Sequence, residues 1–239
     1  MNIIKYRSNR SIDVYFPEYN WIAKNRQYDA FKIGTISCPY EKRHYNIGYI
    51  GEGEYKPTIN KKPSKIYTIW HDMLGRCYDE KHRHKYKTYS NITVCDEWLN
   101  FQNFAKWFDE NYYEVEGEEM CLDKDILIKD NKVYSPDTCI FVPERINNLF
   151  IKSNNIRGKY PIGVTYNKKI NKYQAQCKIL KNNKIETYYI GIYDTVYMAF
   201  LSYKDFKEKY IKKVADEYKY LIPKELYKAM HDYKVEIND

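Results

Sequence analysis

Residues 122–148, LDKDILIKDNKVYSPDTCIFVPERINN, constrain the fold most tightly. An apolar strand running into Asp123-Lys124-Asp125, a polar loop with Asn131, a second strand CIFV and a helix opening at Pro143 imply a β-hairpin packed on a helix. The hairpin brings Asp123 and Asp125 toward the polar face of that helix, where Asn147 and Asn148 stand one turn in. Two carboxylates and an amide are hard oxygen ligands of the kind Mg²⁺ accepts. A metal ion there neutralises charge on a scissile phosphate and its leaving oxygen. The stretch supplies no side-chain base: a lysine, with an unperturbed pKa of about 10.4, is a cation at neutral pH. Lys124 is better suited to holding a phosphate or to filling the metal's place outright.

The flanking sequence fills in an α+β chain. Residues 1–60 read as a small β-rich module, with SIDVYF alternating as a strand and Gly34, Gly48, Gly51 and Gly53 marking turns. TINKKPSK, 58–65, reads as a linker. After it, Ile66, Ile69, Trp70, Met73, Leu74 and Cys77 share one helical face, with Ser64 as N-cap. The basic stretch DEKHRHKYKTYSN reads as a loop, ITVC as a short strand, and DEWLNFQNFAKWFDENYY as a second helix burying Trp98, Phe101, Phe104, Ala105 and Phe108. Beyond residue 152 come three strands, YPIGVTYN, KYQAQCKILK and IETYYIGIYD, then a helix from about Thr195 to Tyr218 and a short one at PKELYKAMHDY with Pro223 in its first turn. The expected division is 1–60, 61–152 and 153–239, the last pairing a three-stranded antiparallel sheet with a helix.

Charge is unevenly placed. The net charge of +8 lies entirely in the last third: residues 1–150 carry 22 basic against 22 acidic side chains, and residues 151–239 carry 18 against 10. Residues 151–184 hold nine lysines or arginines and no acid, a one-signed field that suits a nucleic acid. The six cysteines are scattered without a CxxC pair, which argues for reduced, mostly buried thiols rather than a zinc site. No segment approaches the roughly 18 apolar residues of a membrane span. The N-terminal MNIIKYRSNRSIDVYF lacks a signal peptide's apolar run, so a soluble chain is expected.

Two resemblances sharpen these expectations. IWHDMLGRCY, VCDEWLNFQNFAKW and YSPDTCIFV, in that order, resemble the HNH (ββα-metal) homing endonucleases of bacteriophages. The resemblance implies DNA phosphodiester hydrolysis with Mg²⁺ or Mn²⁺ in a bacterial cytoplasm, with Asp123, Asp125 and Asn147 as metal ligands. It also shows the departure: Lys124 stands where the family carries its histidine base, and His71, His82 and His84 lie elsewhere in the sequence. The alternative is a catalytically silent relative acting as a DNA-binding regulator or an inhibitor of a bacterial defence nuclease.

The second stretch, with Gly163-Val164, Tyr173-Gln174-Ala175, GIYDT and AFLSYK, resembles the AP-two/ethylene-response DNA-binding domain. That resemblance implies a sheet inserted in the major groove of double-stranded DNA. Outward-facing Gln174, Gln176 and Lys178 would meet bases, Lys168, Lys169, Lys172, Lys181 and Lys184 at the turns would meet phosphates, and Arg157 and Lys159 are counted among the DNA-binding residues. A protein partner is expected to engage the N-terminal module, if any does.

Overall fold

The computed structural model describes residues 1–85, 91–152, 158–181 and 184–239. The chain is α+β, with helices and several small sheets. It forms two compact units, 1–112 with 131–138, and 113–130 with 139–239.

In the first unit, β1 (Asn2–Ser8), β2 (Ser11–Phe16) and β3 (Trp21–Arg26) form an antiparallel meander. Ile12, Val14, Phe16 and Ala23 from its strands meet Ile36 and Cys38 in a small core beside the helical turn α1 (Tyr28–Lys32). Asp13 is buried among these apolar neighbours because Arg7 reaches it at 2.6 Å and the Asn25 N–H donates to it at 3.0 Å. A two-residue ladder, β4 (Thr58–Ile59) with β5 (Lys62–Pro63), occupies the expected linker.

Helix α2 (Lys65–Tyr78) starts at the expected cap: the Ser64 hydroxyl accepts from the Tyr67 N–H at 3.2 Å. Trp70, Met73, Leu74 and Cys77 are buried along its face. Gly48 serves packing rather than a turn, since a Cβ there would lie 2.5 Å from Leu74 Cδ1. The basic stretch is not all loop. Glu80–Lys85 form a short helix, α3, and residues 86–90 of the stretch lie outside the described residues. The ITVC strand is β6 (Thr93–Val94), followed by a 3₁₀ turn over Asp96–Leu99 and by α4 (Phe101–Asn111), which buries the expected aromatics and Trp107 as well. β6 pairs in parallel with β8 (Val133–Tyr134).

The second unit carries the hairpin. β7 (Met120–Asp123) and β9 (Ile140–Pro143) are antiparallel, Met120 opposite Pro143 and Asp123 opposite Ile140. α5 (Glu144–Asn147) follows directly, as one α-turn that continues as a 3₁₀ turn over Asn148–Phe150. The C-terminal sheet has β10 (Val164–Asn167), β11 (Lys172–Lys181) and β12 (Lys184–Tyr193) in antiparallel order. Helix α6 (Val196–Glu217), capped by the Thr195 hydroxyl, crosses it, and α7 (Lys224–Asp232) closes the unit.

α6 explains why a boundary at 152/153 does not separate two bodies. At 22 residues it is about 33 Å long, and it serves two cores. Ala199, Phe200 and Tyr203 pack with Val164, Ala175 and Cys177 of the sheet. Ile211, Val214, Ala215 and Tyr218 pack with Val142, Ile146 and Leu149 of the hairpin and α5, and with Leu226 and Met230 of α7. One helix therefore ties hairpin and sheet into one unit.

Candidate functional site

At the end of β7 the chain turns sharply, and Asp123 holds the turn. Its Oδ1 accepts from the backbone N–H groups of Asp125 at 2.8 Å and Ile126 at 2.7 Å, the local carboxylate-to-backbone pattern that short polar side chains form at strand ends. Lys124 is directed inward and is only 7% exposed. Its ammonium donates to Asp125 Oδ2 at 2.9 Å. Burial pushes the Asp123 carboxyl up to about 6, and the neighbouring Asp125 charge adds to the rise; the two backbone donors and Lys124 oppose it. Asn147, half-buried, ends the α-turn without making a capping hydrogen bond. His71, His82 and His84 belong to the other unit.

As arranged, these residues do not fit a hard divalent cation. One oxygen of Asp123 is taken by two backbone donors and one of Asp125 by an ammonium, so a cation is already built into the loop. A dication brought beside that ammonium would be repelled, and it would have to strip Asp125 of its partner. Among the described residues no three His, Cys, Asp or Glu side chains gather as a metal site.

The second candidate surface is the sheet. Tyr173, Ala175, Cys177 and Ile179 of β11 and Ile190 of β12 face α6, and Tyr188 stacks on Phe206 with ring centroids 4.7 Å apart. The alternate residues face away. They form cross-strand rows, Thr165–Gln174–Ile192, then Gln176–Tyr189, Lys178–Thr187 and Leu180–Ile185. The expected Gln174, Gln176 and Lys178 thus share one outward face, and neither glutamine amide has a hydrogen-bond partner among the described residues.

The surrounding lysines divide by circumstance. Lys168 and Lys169 are exposed at the β10–β11 turn, where the Lys169 N–H donates to the Asn167 side chain at 3.0 Å. Lys184 is exposed at the start of β12, and Lys159 lies 5.3 Å from the Tyr160 ring centroid. Lys172 pairs with Asp194 at 2.8 Å, so its charge is partly answered within the protein. Arg157 lies outside the described residues, and of Lys181 only the backbone, at the end of β11, is described.

Sequence reasoning missed half of the face. Thr187, Tyr189 and Ile192 belong to it because the register shifts between Ala175 and Gln176, where the partner steps from Gly191 to Tyr189 and leaves Ile190 out. This bulge breaks simple alternation along IETYYIGIY. The run of large side chains in that segment, too many for one buried face, was the available signal. Compared with known protein families, curated proteins and solved structures, the chain matches none.

Proposed function

We propose that the protein binds double-stranded DNA by laying the outward face of β10–β12 in the major groove, and that it does so without cleaving the DNA. One observation carries the reading: in the four rows from Thr165–Gln174–Ile192 to Leu180–Ile185 the face presents two amides without hydrogen-bond partners among the described residues, a lysine and no acidic residue, while Lys168, Lys169 and Lys184 stand exposed at its ends. A two- or three-stranded ribbon of this kind fits the width of the major groove, its side chains reaching base edges while the flanking cations meet phosphates. The absence of cleavage rests on the hairpin, where Lys124 replaces the expected base and its ammonium holds Asp125.

The test is the salt dependence of duplex binding by the intact protein. A steep linear fall of log affinity with log salt is expected. Replacing Lys168 and Lys169 by alanine is expected to reduce the slope by about 0.9 for each phosphate contact removed. Binding that is weak and indifferent to these substitutions would refute the placement. Incubation with supercoiled DNA and Mg²⁺, Mn²⁺ or EDTA addresses cleavage: metal-dependent nicking lost in Asp123→Ala would overturn the non-cleaving reading and restore an HNH-type hydrolase.

A further inference from the structure

The composition of the outward face carries the reading one step further, to the class of sequence. Of the four base pairs, guanine is read best by a bidentate arginine, adenine by a bidentate glutamine or asparagine, and thymine by an apolar group against its C5-methyl. From residue 158 to residue 239 the chain contains no arginine. The row at the centre of the sheet is Thr165–Gln174–Ile192, and the next is Gln176–Tyr189. Each row therefore places a glutamine amide, without a hydrogen-bond partner among the described residues, beside an apolar or aromatic side chain, and these neighbours are left open, Ile192 at 45% and Tyr189 at 50% exposure.

Covering an isoleucine that stands exposed on a sheet surface removes apolar area from water, which favours a complex in which an apolar group meets it. Opposite strand neighbours have Cβ atoms about 5 Å apart. That separation lets one row reach an amide to an adenine edge and a hydrocarbon to a nearby thymine methyl. Lys178, in the row with Thr187, stands four residues beyond Gln174 and so about 13 Å along the strand, toward the end that carries Lys184.

We infer that the protein recognises A·T-rich duplex DNA, with Gln174 and Gln176 reading adenine and Ile192 packing on thymine methyl groups. This inference rests on the proposed binding surface, and its test separates the two. The intact protein is titrated at fixed salt, by fluorescence anisotropy, against equal-length A·T-rich and G·C-rich duplexes. The A·T-rich duplex is then remade with uracil for thymine, which removes only the methyl group, and with 7-deazaadenine, which removes only the N7 acceptor.

The expected result is preferential binding of the A·T-rich duplex. Losses of about tenfold are expected with 7-deazaadenine, with a smaller loss for uracil. Gln174→Ala should reduce the sensitivity to 7-deazaadenine and Gln174→Ala/Gln176→Ala should abolish it, both leaving the salt slope unchanged. Salt-dependent binding with equal or reversed preference would overturn the inference and leave the binding surface standing. Salt-insensitive, negligible affinity for both duplexes would overturn both.

Discussion

Replacing Asp123 by asparagine isolates the electrostatics of the hairpin turn, because asparagine keeps the Oδ1 acceptor that serves the Asp125 and Ile126 N–H groups. The carboxyl is raised from 3.8 to about 6 in the folded chain. A folded-state value above the unfolded one means that the protonated form favours folding. The penalty for ionisation grows between about pH 4 and pH 6 and is complete above that. A shift of about 2 units corresponds to about 3 kcal/mol at most. Against this, the new amide N–H₂ group in a half-buried site costs about 1 kcal/mol if it finds no acceptor.

Asp123→Asn is therefore expected to stabilise the second unit by about 2 kcal/mol at pH 8 and to destabilise it by about 1 kcal/mol at pH 4. Asp123→Ala, which removes the acceptor as well, should be destabilising at pH 4 and gain much less at pH 8. The assay must report on this unit. All four tryptophans, Trp21, Trp70, Trp98 and Trp107, lie in the other one, so hydrogen exchange of the β7 and β9 amides in urea is the suitable readout. A pH-independent effect of Asp123→Asn would refute the argument, and so would a larger gain at pH 4 than at pH 8.

Gly163 adopts φ +76°, and a Cβ added there would run into the ring of the buried Tyr203. Gly163→Ala should cost about 2–4 kcal/mol, combining the left-handed backbone of a non-glycine residue with overpacking; a loss below about 1 kcal/mol in urea unfolding would contradict both contributions, since a ring that moves aside relieves only the second. In the first unit, the Arg7 guanidinium and the Asn25 N–H hold the Asp13 carboxyl well below the usual carboxylate range. Asp13→Asn should thus be destabilising at pH 7, with the difference from wild type narrowing as pH falls below about 4. Tryptophan-monitored urea unfolding at pH 7 and pH 3 checks this, and a constant difference would contradict it.

Local features were legible in the sequence where a local rule decides them. Ser64 at the start of α2, the aromatic spacing of α4 and the two strands of the 122–148 hairpin are set by periodicity and capping within a few residues. What stayed hidden depends on partners far along the chain. That Ile211 and Val214 pack on Val142 and Ile146 is a contact across some 70 residues, and no local pattern announces it. The outward set on β12 was obscured by the bulge at Ile190. At the hairpin, the residue types and the option of Lys124 filling the metal's place were readable, but its pairing with Asp125 rather than Asp123 was not, since both acids are equally near it in the sequence.

The order in which the chain is made meets an interleaved architecture. The first unit needs residues 131–138, which are synthesised only after the second unit has begun at Tyr113. The hairpin is complete at Pro143, yet the residues that cover its apolar side, Ile211 through Met230, come last. At about 5–20 residues per second, Val142 and Ile146 wait roughly 4–17 s on the ribosome for their partners. During that interval the nascent chain offers an uncovered apolar hairpin to chaperones and to other chains. Slower translation of residues 144–230 would lengthen that exposure, and yield in the cell should follow synthesis rate as much as the stability of the finished protein.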